Sequence, residues 1–91
     1  MESGIMTNYT YNLDKEPVMW KSRMVENPNP PPDYIEEDYG IQPDVGTSDM
    51  TNKNIISCTW NGETKVLTIV WDGTLSTSDK AILDQIVVDN S

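Results

Sequence analysis

Asn54–Asn90, NIISCTWNGETKVLTIVWDGTLSTSDKAILDQIVVDN, holds more mutually consistent local signals than any other stretch of the chain. Asn61-Gly62 separates two β-prone runs, and both residues accept the positive φ of a type I′ turn. A two-residue turn there sets Trp60 opposite Glu63, Cys58 opposite Lys65 and Ile56 opposite Leu67. Alternation then gathers Ile56, Cys58, Trp60, Leu67, Ile69 and Trp71 on one face. The other face receives Ile55, Ser57, Thr59, Thr64, Val66, Thr68 and Val70, β-branched and more polar. Asp72-Gly73 ends the second strand. Ser76 is placed to cap a helix, and Asp79 completes a Ser-x-x-Asp capping box. Ile82, Leu83, Ile86 and Val87 follow at helical spacing, with Ala81 at the edge of the stripe and Lys80, Asp84 and Gln85 outside it. The expectation is α+β: a ββα module over 54–91, its helix laid across the hairpin.

Such a module is small. A two-stranded sheet is marginal even under a helix, and a unit of this size usually needs help to fold. Its strand edges are open, and the Ile55, Val66 and Val70 face is apolar enough to want cover. Self-association, as a homo-oligomer with a trimer favoured, or docking on a host answers both needs. Ile56, Trp60, Leu67, Ile69, Trp71, Ile82, Leu83 and Ile86 are the residues expected to serve the core or that self-association.

Residues 1–53 read differently, as a long, extended and mostly irregular arm. Tyr9-Thr10-Tyr11 alternates like a strand, but only a sheet edge elsewhere would make it one. Asp14–Val25 (DKEPVMWKSRMV) is the most helix-like part, with Pro17 and two acids suited to a first turn. Asn27–Asp33 (NPNPPPD) favours polyproline II and reads as a spacer rather than a ligand for a proline-recognising domain, since its flanks are acidic. Tyr34–Tyr39 (YIEEDY) places acids between aromatics. Asp33, Glu36, Glu37 and Asp38 lack the spacing and glycine of an EF-hand loop, so a solvated acidic patch is expected and no metal. Gly40–Lys53 is rich in turn-forming residues and reads as a linker. The side chains most suited to anchor on another protein are Met19, Trp20, Met24, Tyr34 and Tyr39.

Composition narrows the chemistry. The chain has no His, so an ordinary neutral-pH proton shuttle and a Ser-His or Cys-His pair are missing. Asp72, Asp79 and Asp84 fit turn, cap and solvated-face roles, so no enzyme, catalytic residue or cofactor is expected. A net charge of −9 opposes nucleic-acid binding, where Lys and Arg must meet phosphates. Residues 1–50 carry ten acids and three bases, and residues 51–91 five and three. The single cysteine, Cys58, has no internal partner and reads as a small apolar strand residue. Neither a signal peptide nor a membrane span is legible.

The run Val66–Asn90 resembles segments of small virion structural proteins of tailed bacteriophages. In those, an apolar strand ends in Asp-Gly, followed by Leu-Ser/Thr, an Asp-Lys pair and a Leu-Asp-x-Ile/Val helix. The resemblance implies a non-enzymatic part of a phage particle, made in the host cytoplasm and located in the virion. A capsid cement or decoration protein would bind and bridge subunits of the major capsid protein, or of another virion protein, through the arm. A head-fibre or tail-adaptor role is the nearby alternative. An acidic DNA-mimic inhibitor of a DNA-processing enzyme is the alternative from a different class.

Overall fold

The computed structural model describes residues 5–91; residues 1–4, the start of the expected arm, lie outside them. Its elements are β1 (Met6–Asn12), β2 (Lys21–Glu26), β3 (Tyr34–Tyr39), α1 (Ile41–Thr47), β4 (Ile55–Asn61), β5 (Val66–Asp72) and α2 (Thr77–Asp89). The protein is a small α+β fold with two antiparallel sheets, one of order β1-β5-β4 and one formed by β2 and β3.

β5 is the central strand, and its residues alternate between core and outer face as a strand paired on both sides should. Leu67, Ile69 and Trp71 are fully buried. The indole N–H of Trp71 has no acceptor among the described residues, so packing alone holds that ring. Cys58 and Trp60 lie opposite Ile69 and Leu67 and pack against the same core. The turn between β4 and β5 departs from the two-residue expectation. Trp60 pairs with Leu67, not Glu63, and the loop spans residues 62–65. Asn61 explains the change: its Oδ1 accepts from the N–H groups of Glu63 at 2.9 Å and Thr64 at 3.2 Å. That Asx turn competes with the type I′ geometry and lengthens the loop, with Lys65 at φ 57° closing it. The shift moves the register by an even number of residues, so the face assignment survives except at Ile55 and Ile56, which exchange faces. Ile56 was expected in the core and is 51% exposed. A bulge between Ile55 and Ser57 puts Ile55 opposite Trp71 in its place.

Helix α2 begins as its cap signal requires, Ser76 Oγ accepting from Asp79 N–H at 3.1 Å. Leu83, Ile86 and Val87 are buried, whereas Ile82 is only partly so. Gly73, at φ 87°, turns the chain after β5. Its N–H donates to the carbonyl of Ile5 at 2.8 Å.

Several segments of the expected arm join this body. Tyr9-Thr10-Tyr11 finds its receiving edge in β5, with Tyr9 opposite Ile69 and Tyr11 opposite Leu67. The linker expectation over 40–53 gives way to α1, whose Ile41 and Val45, four apart, are buried with Met50 in the main core. Pro43 sits in the first turn, where no donor is needed, so its presence does not oppose the helix. The helix expectation over 14–25 gives way to irregular chain and then β2. Lys80 and Asp84 are also placed differently from the solvated face expected of them. Because β1 extends the sheet, Asp84 meets Tyr11, whose hydroxyl donates to its Oδ1 at 2.7 Å, and Lys80 pairs with it. Burial and that carboxylate raise the Tyr11 pKa. Desolvation pushes Asp84 up, but the hydrogen bonds from Lys80 and Tyr11 outweigh it and hold the carboxyl below its usual range.

Among the described residues no helix is long and apolar enough to cross a membrane.

Candidate interaction site

The β2–β3 hairpin is the part of the molecule that its own core does not claim. The radius of gyration is 15.0 Å, with principal extents of 45 × 36 × 20 Å. A compact domain of this length is expected near about 12 Å. The hairpin packs chiefly on α1 rather than on the three-stranded sheet.

The base of the hairpin is stiff. Ile41 N–H donates to Val18 O at 3.0 Å and Gln42 N–H to Met19 O at 3.1 Å, so the chain leaving β3 is pinned to the chain entering β2. Val18 N–H in turn donates to Asn90 O at 2.8 Å, tying the entry segment to the end of α2. Gly40 makes the crossing possible: at φ 125° its missing Cβ would lie 2.6 Å from Met19 O. The far end is closed by Asn27, whose N–H donates to Asp33 O at 2.8 Å and whose Nδ2 donates to Pro32 O at 2.7 Å. The NPNPPPD segment is thus the hairpin loop and not a spacer. Its prolines stay clear of both strands, where each would delete a ladder donor.

Register divides the hairpin into two unlike faces. One carries Lys21, Arg23 and Val25 opposite Tyr39, Glu37 and Ile35. It is internally satisfied: Arg23 bonds Glu37 at 3.0 Å and lies 4.5 Å from the centre of the Tyr39 ring. The other carries Ser22, Met24 and Glu26 opposite Asp38, Glu36 and Tyr34. There Met24 is 63% and Tyr34 61% exposed, and the three carboxylates around them have no ion-pair partner among the described residues.

Of the residues expected to anchor a partner, Trp20, Met24 and Tyr34 are exposed and belong to this hairpin or its entry. Met19 packs against the core instead, and Tyr39 is half-buried beneath Arg23. The sequence reading had no means of pairing Met24 with the Tyr34–Tyr39 stretch, since the proline run between them read as a rod. Of the residues expected to serve the core or self-association, Leu67, Ile69, Trp71, Leu83 and Ile86 are buried, Trp60 and Ile82 are partly buried, and Ile56 is exposed.

Chemistry elsewhere is sparse. Among the described residues no group of three or more His, Cys, Asp or Glu side chains is placed to hold a metal ion. Burial pushes the Cys58 thiol up to about 11. Its alkylation at neutral pH should therefore run roughly 100-fold slower in the folded protein than in urea, because the thiolate is the reacting species. A thiol that labels equally fast in both would place Cys58 outside the strand packing described.

Compared with family models, curated proteins and solved structures, the chain matches none.

Proposed function

We propose that this protein is a non-enzymatic structural component of a virion, of the capsid cement or decoration type. It docks on neighbouring shell protein through the outer face of the β2–β3 hairpin, and the body holds that hairpin at a fixed angle. The single observation that carries the docking half is Met24 and Tyr34, large apolar side chains more than half exposed on a hairpin stapled at its base. Anchors held on a pre-ordered strand lose little conformational entropy when they bind. The virion half rests on the resemblance of residues 66–90. Such a protein acts mechanically: it binds only the assembled shell and so shifts the assembly equilibrium by mass action.

The DNA-mimic alternative gains something from the same strands, because Glu26, Glu36 and Asp38 share one ordered face. Met24 and Tyr34 interrupt that array with apolar surface that a phosphate mimic has no use for. Docking on a protein pocket is the better account.

The test uses point variants, since β1 and α1 belong to the fold and cannot be deleted with the arm. Met24→Ser combined with Tyr34→Ser should leave the melting temperature within a few degrees, as neither side chain is buried. The same variant should lose at least about tenfold in co-sedimentation with shells assembled from the co-encoded capsid protein. Full binding by this variant rejects the hairpin as the docking element. Binding to a DNA-processing enzyme, abolished by Glu26→Gln with Glu36→Gln, transfers the assignment to the mimic.

A further inference from the structure

Charge is distributed unevenly over this molecule. The chain carries 21 charged residues, yet β1 (MTNYTYN) and β4 (IISCTWN) hold none, and β5 ends in the single Asp72. The outer face of the three-stranded sheet is built from Asn8, Thr10 and Asn12 on β1, Thr68 and Val70 on β5, and Ser57 and Thr59 on β4. No helix covers that face, since α1 and α2 both pack on the core side.

The two edges of this sheet are not equivalent. β4 carries the bulge at Ile55/Ser57, a device that twists an edge away from would-be partners. β1 has none: seven consecutive residues pair with β5 in unbroken register. The flanking bonds, Gly73 N–H to Ile5 O and Leu13 N–H to Lys65 O, show that odd-numbered residues direct their backbone groups towards β5. Met6, Asn8, Thr10 and Asn12 alternate with them, so their N–H and C=O groups point away from the sheet. They find no backbone partner among the described residues. Neither Lys, Pro nor inward-pointing charge guards this edge.

We infer that the occupant of the β1 edge is a second copy of this chain, paired antiparallel across a two-fold axis at Tyr9. Centring on Tyr9 places Asn8 opposite Thr10 of the second copy and Met6 opposite its Asn12, so every outward backbone group on β1 gains a partner. Two chains of charge −9 repel over most of their surfaces, whereas β1 carries no charge of its own and the ionic groups beside its Tyr9 and Tyr11, Lys80 and Asp84, neutralise each other, so two copies can approach here. The product is a continuous six-stranded sheet of order β4-β5-β1-β1-β5-β4, both copies keeping their helices on one side. It deepens the self-association expected of such a small module and gives it a two-fold in place of a three-fold axis. It is independent of hairpin docking.

Sedimentation equilibrium and backbone amide exchange on the full chain test the pairing. The expected result is a mass twice the 10.3 kDa of one chain. Exchange at Asn8 and Thr10 should slow at least about tenfold from micromolar to millimolar protein, while surface amides of β4 stay unchanged. Thr10→Pro removes an outward donor that β5 does not use, and Asn8→Lys places a charge on the edge; each should return the monomer mass with the circular dichroism of the parent. Thr59→Lys, on β4, should remain dimeric. A monomer at all concentrations, a trimer, or a dimer that survives both β1 variants overturns the pairing. None of these outcomes bears on shell binding by the hairpin.

Discussion

Gly40→Ala should cost about 3 kcal/mol and lower the melting temperature by roughly 10–20 °C. Two independent costs coincide there. The backbone at φ 125° lies in a region that L side chains rarely occupy, and the added Cβ would meet Met19 O at 2.6 Å and Trp20 N at 2.9 Å. Those neighbours are backbone atoms, so no rotamer change relieves the clash. Met19 O is also the acceptor through which Gln42 pins the hairpin base, beside the Val18 O that Ile41 uses. The amides of Ile41 and Gln42 should accordingly lose exchange protection before those of β5. Gly46→Ala supplies the control. It lies in α1 with open space around its Cβ position, and alanine there should be neutral or stabilising by about 0.5–1 kcal/mol. Equal melting temperatures for Gly40→Ala and the parent would show that the crossing at Gly40 is not formed.

The same position shows why the N-terminal half was hard to read. Local chemistry sufficed where neighbours in sequence decide the outcome: the Ser76 cap, the Asp72-Gly73 turn, the α2 stripe and the inward set Cys58, Trp60, Leu67, Ile69 and Trp71 all follow from spacing. It failed where the deciding partner is remote. β2 and β3 lack a clean alternation of apolar residues because neither face is buried, so the period-2 signal was absent from Lys21–Glu26 and the proline run masked the turn. α1 is short and contains Pro and Gly, yet it forms because Ile41 and Val45 bury against a core assembled from residues 67–87. β1 was legible only conditionally, since Thr-Tyr alternation acquires meaning once β5 receives it.

The candidate site was legible by residue type and not by placement. Trp20, Met24 and Tyr34 stood out as large apolar side chains in an acidic context, and they are exposed. Met19 and Tyr39, chosen on the same grounds, serve the core and the Arg23 stack. Composition cannot separate these two groups. Register can: it puts Met24 and Tyr34 on the unpaired face and Tyr39 on the satisfied one.

Asp79→Asn should be the most damaging polar substitution in the protein, lowering the melting temperature at neutral pH by roughly 10 °C. The sequence assigned Asp79 to a capping box, in which its carboxylate would reach back to Ser76. Instead the side chain is 2% exposed and turned towards the strap that links α1 to β4. It accepts from Thr51 N–H at 2.9 Å, Thr51 Oγ1 at 2.7 Å and Asn52 N–H at 3.0 Å. Every one of these partners is a donor, so an amide nitrogen in place of one oxygen opposes donor to donor, whereas the shape is unchanged. The strap matters because it delivers Met50 to the core and, through Asn52 Nδ2 on Asp72 O, fastens the end of β5. The backbone hydrogen bond from Thr51, reinforced by those from Asn52 and the Thr51 hydroxyl, holds the Asp79 carboxyl below its usual range. A lowered folded-state pKa means that the stabilisation is complete above the unfolded value near about 4 and is lost as pH falls through the folded value. The parent should therefore lose stability on acidification below about pH 4, and Asp79→Asn should show a shallower loss over that window, with Asp84 supplying the remainder. Parallel pH profiles for the two proteins would detach Asp79 from the strap.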